Sequence, residues 1–200
     1  MQSTLDQPTL FGTFVADARS KPLLAASAVV FGVCLLTLSA KVQVPFWPVP
    51  MTMQTLVVLM LGMAYGSTLG AGTVIAYLLV GAAGFPVFAG TPERGIGLAY
   101  MMGPTGGFLL GFVAAAWVTG ALAERGWDRS VLRCAGAMLA GTIVIFLFGL
   151  TALIPVIGLG RAIETGFVPF LASSTLKLAL GAVAMPLLWQ AAGRRQTGQG

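Results

Sequence analysis

Few residues in this chain have chemistry to offer, and one of them stands in an unusual place. Lys177 lies inside the last long apolar run, about Val168 to Ala191. If that run is helical, at about 1.5 Å per residue the lysine sits roughly 14 Å below its start. A buried ammonium is costly unless it is paired or deprotonated. The carboxylates lie elsewhere: Asp6, Asp17, Glu93, Glu124, Asp128 and Glu164 all fall in tails or between apolar runs. Ser173 and Ser174 precede Lys177 by four and three residues, on its own helix face, and offer oxygen acceptors. The position leaves two readings. Either Lys177 meets an anionic or carbonyl-bearing ligand arriving from outside, or it is a snorkelling or neutral structural lysine. Its depth makes snorkelling hard and favours the ligand.

Other candidates gather towards the same end of the chain's apolar runs. Gln54 offers both donor and acceptor, which suits an amide- or urea-like ligand, or packing against a backbone carbonyl. Arg94 can hold a carboxylate at the mouth of a site, or pair with its neighbour Glu93. Phe46, Trp47, Phe88 and Tyr100 can supply apolar walls or ordinary packing. Thr52 and Thr105 stand where they would cap helices whose N-termini favour negative charge. Catalytic sets are missing. The chain has no His, no H-E-x-x-H, no G-x-x-x-x-G-K-[ST] and no paired carboxylates. That argues against hydrolytic or metal chemistry, against a metal or cofactor site, and for a protein that is not an enzyme.

These residues are positioned by a membrane framework. Of 200 residues, 57% are hydrophobic and 8% charged, far from the roughly 25% charged of soluble domains. The net charge of +5 is scattered, with no basic run interleaved with aromatics, so it speaks for topology and lipid contact rather than nucleic acid. Cys34 and Cys134 read as small buried apolar residues. The reading is an all-α integral membrane protein with six transmembrane helices. These cover about 22–40, 52–64, 67–83, 105–123, 132–153 and 168–191, with a polar tail at 1–21, a membrane domain over 22–191 and a second tail at 192–200. The first run ends without an A-x-A cleavage pattern and is kept as a span rather than a signal peptide. Tyr65-Gly66-Ser67 makes the second and third spans a tight hairpin. Residues 154–167 read as a loop. Ala28 and Gly32 share a face of the first span, a small-residue surface for helix packing or for a partner.

Two irregular segments stand out. Residues 45–50 carry three prolines, at 45, 48 and 50, which forbids a regular helix. Residues 84–107 carry seven glycines, Gly90 among them, and three prolines, yet remain largely apolar. Such backbone beside membrane helices is tolerated where it is buried or lines a cavity. It reads as a structured cap between spans 3 and 4, or as a plain turn. With both termini cytoplasmic, inside segments carry Arg19, Lys21, Arg125, Arg129, Arg133, Arg194 and Arg195, against Lys41, Arg94 and Arg161 outside. Seven against three satisfies the positive-inside rule, and puts both irregular segments outside.

Val49-Pro50-Met51-Thr52-Met53-Gln54 resembles the P-x-T-x-Q element of the BioY family. Gly84-Phe85-Pro86-Val87-Phe88-Ala89-Gly90 with Gly103-Pro104-Thr105-Gly106-Gly107-Phe108 resembles its central signature. The resemblance runs from about Ser27 to Trp189. It implies a biotin-binding S component of an energy-coupling-factor (ECF) transporter in the cell membrane, energised by a transmembrane coupling protein and two ATPase subunits. It also implies a site near the outer face built from the first external loop, the loop between helices 3 and 4, and helix 6. The family's G-D-x-x-K of helix 6 reads here Ser173-Ser174-Thr175-Leu176-Lys177, so Ser174 replaces the acid. On this reading Gln54, Ser174 and Lys177 bind the ureido or carboxylate ends of biotin, while Phe46, Phe88 and Tyr100 pack its ring and tail. Thr52, Gly90, Arg94 and Thr105 complete the site. Ala28 and Gly32 become a docking face for the coupling protein. The alternatives are an S component or lone carrier for another small vitamin or precursor, and a non-transporting membrane assembly subunit.

Overall fold

The structure, a computed structural model, describes residues 9–15, 21–44 and 48–197. Phe46 and Trp47 lie outside the described residues. A short helix α1 (Leu10–Val15) precedes α2 (Lys21–Lys41), which carries Pro22 in its first turn, where a missing N–H costs nothing. A small antiparallel pair follows, β1 (Gln43–Val44) and β2 (Met51–Thr52), with Gln43 opposite Thr52 and Val44 opposite Met51. Then come α3 (Gln54–Tyr65), α4 (Ser67–Ala82), α5 (Gly97–Met101) and α6 (Gly106–Ala123). After a 3-10 turn at Trp127–Arg129, α7 (Val131–Ile157), α8 (Leu159–Gly166) and α9 (Val168–Thr197) complete the chain.

Four stretches are long and apolar enough to cross a membrane: Lys21–Lys41, Gly106–Ala123, Val131–Ile157 and Leu159–Ala192. The apolar helices α3 and α4 have 12 and 16 residues. At about 1.5 Å per residue they reach roughly 18 and 24 Å, short of the ~30 Å hydrocarbon layer. Apolar side chains such as Leu110, Trp117, Leu147 and Leu187 stand exposed on the outside of the bundle, as lipid-facing residues do.

Helix α6 lies at the centre, packed on α3, α4 and α7. Its Gly120 lets the α3–α4 link come close: a Cβ there would lie 2.4 Å from the Ser67 nitrogen. Gly66, in the link, takes φ +86, a conformation favouring glycine. Glu124, just past α6, accepts the Ser67 N–H at 2.7 Å and its hydroxyl at 2.9 Å. The start of α4 therefore receives a carboxylate from a neighbouring helix, where the helix dipole favours negative charge.

Several expectations are corrected. Residues 154–167 are not a loop. Helix α7 continues to Ile157 through Pro155, which stands in the last turn, where little helix follows to be disturbed. Helix α8 then occupies 159–166, burying Ala162 and Gly166 and turning Arg161 and Glu164 outward. Its amphipathic pattern spans only about two turns, too few for the sequence alone to distinguish from a loop. The helix α9 runs to Thr197, while its membrane-crossing apolar stretch ends at Ala192. Cys34 is exposed while Cys134 is buried.

The small-residue face of α2 also differs. Ala28 and Gly32 are buried with Leu36, Ser39 and Ala40. A Cβ on Gly32 would lie 2.5 Å from Cγ2 of Thr73 on α4, and the Ala28 carbonyl accepts the Tyr65 hydroxyl at 3.0 Å. The small residues admit the chain's own helices, so this face is not open to a partner.

At the end of the bundle opposite the cap, Asp128 is 1% exposed and accepts the Trp189 indole N–H at 2.5 Å. The Arg129 guanidinium lies 4.6 Å over the Trp189 ring. Burial pushes the Asp128 carboxyl above its ordinary range, opposed by the Trp189 bond, a backbone bond and Arg129. A raised acid binds its proton more tightly in the folded state. Its contribution to stability is therefore greatest below the unfolded value and declines as pH rises through the folded one. Thermal melting of the purified protein should show this decline above the ordinary Asp range. Asp128→Asn should remove that part of the pH dependence; an unchanged profile would show that Asp128 does not titrate with folding.

Candidate functional site

The cap between α4 and α6 is held by its own carbonyls. The Tyr77 hydroxyl donates to the Val87 carbonyl at 3.0 Å and Tyr100 to that of Ala89 at 2.8 Å. Lys41, at the end of α2, donates to the carbonyls of Phe88 and Thr91, each at 3.1 Å, and to the Thr91 hydroxyl at 3.0 Å. Irregular backbone has no ladder to satisfy its acceptors, and an unmet buried carbonyl costs about 1–3 kcal/mol. Side chains do that work here. Phe88, 1% exposed, stacks on Tyr100 at 4.9 Å and meets Tyr77 edge-on at 5.5 Å. Its ring sits on Gly81, where a Cβ would lie 2.0 Å away. Gly90 takes φ +69 with the Arg94 side chain across it.

Beneath the cap end lies a narrow cavity, open on one side, between α3, α6, α7 and α9. Its apolar walls include Phe108 and Phe112 of α6, Ile145 and Phe146 of α7, and Phe170 of α9. Its polar groups are Thr52, Thr55, Thr142, Ser174 and Lys177. Lys177 is 6% exposed, and its ammonium donates to Thr55 Oγ1 at 3.1 Å. The two serines expected to serve it sit at different walls: Ser174 lines this cavity, while Ser173 faces a separate one.

A smaller cavity adjoins it, sharing Val49, Pro50, Thr52, Phe108 and Phe112. Gln54, Ala89, Tyr100 and Thr105 line its far side. Gln54 is 3% exposed, and its Nε2 has no hydrogen-bond partner among the described residues. The Tyr77 hydroxyl is its polar neighbour, so a ligand acceptor in this lobe would compete with Tyr77 for the amide. The two lobes thus place a cation and hydroxyls at one end, an amide at the other, and phenyl rings between.

The sequence-derived candidates separate into groups. Lys177 and Ser174 come together in the larger lobe, Gln54, Tyr100 and Thr105 in the smaller, and Thr52 belongs to both. Phe88 and Gly90 lie in the cap and Arg94 is exposed on it; none of the three lines either lobe. Phe46 lies outside the described residues. Thr52 is not an N-cap, because α3 begins at Gln54 after Met53; its hydroxyl accepts the Gln54 N–H at 3.3 Å. Thr105 does occupy the N-cap position of α6, but makes no side-chain capping bond.

Sequence reasoning missed Thr55, Thr142, Lys41 and the phenyl walls. Thr55 and Thr142 are lone hydroxyls in apolar helices, a faint signal. Phe108, Phe112, Phe146 and Phe170 carry none, since apolar residues in apolar helices look alike. Lys41 counted only towards topology, yet it braces the cap. Lys41→Met removes a donor from three acceptors and should weaken ligand affinity by about three- to thirtyfold, roughly 0.7–2 kcal/mol, without loss of helix content. Titration calorimetry beside circular dichroism checks this; unchanged affinity would make the brace dispensable.

The comparisons with known proteins bear on the family and the fold. The model of the BioY family matches residues 15–194. The biotin transporter BioY of Rhizobium etli is 37% identical over 169 residues, covering 80% of this chain and 86% of that protein. The biotin transporter BioY of Thermotoga maritima is 36% identical over 150 residues, covering 74% and 86%. Among solved structures, the S-component for biotin from an ECF-type ABC transporter superposes with a TM-score of 0.74 over 86% of this chain and 94% of that one, at 21% identity. That likeness carries the fold. A family match over residues 15–194, nearly the whole length, makes the chain a member of the BioY family.

Proposed function

We propose that the protein binds biotin and takes part in its uptake across the cell membrane, as the S component of an ECF-type transporter. The observation that carries this reading is Lys177, buried in a cavity with the Thr55 hydroxyl as its one hydrogen-bond partner among the described residues, in a chain of the BioY family. Biotin has a ureido ring at one end, a carboxylate at the other and an apolar body between. It matches two polar lobes joined by phenyl rings. Its acidic or carbonyl oxygen would replace Thr55 on Lys177, and the Gln54 amide would meet the opposite end. Ser174, in the place of the family's acid, would offer a weaker acceptor than a carboxylate.

The six helices α2, α3, α4, α6, α7 and α9 would all serve as membrane helices, the short α3 and α4 forming a hairpin. The charge balance supports an orientation with both termini in the cytoplasm and the cap outside, where biotin would arrive. Energy would come from a coupling protein and two ATPase subunits, since the chain carries no phosphate-binding loop of its own. With Ala28 and Gly32 buried, the coupling protein would dock on another face.

Uptake of labelled biotin by cells lacking their own biotin carrier tests this, with and without the protein and its ATPase partners. Accumulation that needs this chain and is competed by excess biotin is the expected result. Accumulation of a different vitamin instead would transfer the scaffold to that ligand. No biotin-dependent difference would contradict the reading.

A further inference from the structure

The short helix α5 has two faces. Tyr100, on the inner one, is buried, stacks on Phe88 and lines the smaller lobe. Leu98 and Met102 are four residues apart and so share a side of the helix. Both are exposed, Met102 to 87%, so that side packs on nothing within the chain. Phe85, just past α4, and Ile96, just before α5, are exposed too. We propose that this rim of the cap, Phe85, Ile96, Leu98 and Met102, is seated among the acyl chains of the adjoining membrane leaflet, so that α5 separates lipid from the ligand lobe.

Helix length points to lipid. The 16 residues of α4 reach roughly 24 Å, about 6 Å less than the hydrocarbon layer. The Ser67 end of α4 is bonded to Glu124 and so lies beside the charged 124–133 link, which belongs at a membrane surface. The shortfall therefore falls at the cap end, and Phe85 leaves α4 at hydrocarbon depth. Irregular backbone is tolerated there only where protein satisfies it. The cap meets that condition: the Val87, Phe88 and Ala89 carbonyls accept from Tyr77, Lys41 and Tyr100, and α5 bonds its own backbone. The pattern of exposure agrees. α5 packs on α4 and α6, whose Leu79 and Leu110 are exposed on the outside of the bundle, so the rim continues a surface already turned to lipid. The exposed charges of the cap, Glu93 and Arg94, stand apart from it in the turn before Ile96. An exposed apolar patch bordered by polar residues marks a membrane or protein contact, and the depth of the rim selects the membrane.

Nitroxide labels on Leu98→Cys and Met102→Cys give the test, each made singly with Cys34→Ser to remove the exposed native thiol. Glu93→Cys is the control. The full chain is reconstituted in phosphatidylcholine bilayers, and label relaxation by oxygen, which concentrates among acyl chains, is compared with relaxation by a water-soluble nickel chelate. Oxygen should dominate at positions 98 and 102, and the chelate at 93. Labels at 98 and 102 that meet the chelate as freely as the label at 93 would place the rim in water and overturn the proposal. Shielding from both reagents would put a protein surface on the rim, a second copy of the chain for one, and overturn it equally. The consequence for the site rests on the reading of the lobes as the biotin site. Leu98→Asn with Met102→Asn should draw α5 towards water and, through Tyr100, weaken biotin binding in bilayers by about threefold or more. Unchanged affinity would sever the rim from the site. Absence of biotin binding by the wild-type protein would overturn the site reading instead, and the labels would still decide where the rim lies.

Discussion

Replacing Lys177 by Ala is expected to weaken biotin binding at least about tenfold, a loss near 1.4 kcal/mol, while the protein stays folded. Truncating one partner of a buried, hydrogen-bonded charge contact costs about 2–5 kcal/mol in other complexes, so the loss can reach from about thirtyfold to a few thousandfold. The ammonium meets a threonine hydroxyl when the site is empty. A hydroxyl compensates a desolvated cation less well than a carboxylate or carbonyl ligand does. The lysine is therefore a cost to the empty protein and a gain to the loaded one. Replacing such a group by an apolar side chain of similar volume is often neutral or stabilising. Lys177→Met should accordingly melt no lower than wild type without ligand, yet lose the extra stability that biotin confers. A variant that melts much lower and binds weakly would instead make Lys177 a structural residue.

Phe88→Ala should show the opposite pattern. Phe88 is buried between Tyr77, Tyr100 and Gly81 and lines neither lobe of the cavity. Deleting a buried phenyl ring costs about 3–5 kcal/mol. Here that loss falls on the segment whose Ala89 and Tyr100 line the smaller lobe. Thermal melting without ligand should fall sharply, and biotin affinity should fall with it. Phe88→Leu should recover part of both. An unaltered melting curve beside abolished binding would mean that Phe88 touches the ligand after all.

The contrast between these residues shows what the sequence could convey. Lys177 was legible because a lysine deep in an apolar run stands out from its neighbours, although the run alone also allowed a neutral structural lysine. The cap was legible as glycine and proline in an apolar setting, but its internal order was not. Phe88 reads equally well as a wall or as a core, and only the Gly81 surface and the Tyr100 ring decide. Ala28 and Gly32 announce that something packs closely; spacing does not say whether it is Thr73 of the same chain or another protein. Lys41 looks like a flanking charge until its three acceptors, fifty or so residues away, are brought to it. The short α8 failed for lack of length, since two turns cannot display a period. The phenyl walls failed for lack of contrast. What a local pattern records is a residue out of keeping with its neighbours, and what it omits is any partner distant in sequence.

The most direct measurement is equilibrium binding of biotin to the purified wild-type protein in detergent. One-to-one binding in the nanomolar to micromolar range, roughly −12 to −8 kcal/mol, is the expected result, with Lys177→Ala weaker beside it. A folded wild-type protein that binds no biotin, or one whose tight binding is indifferent to Lys177, would contradict the account of this cavity.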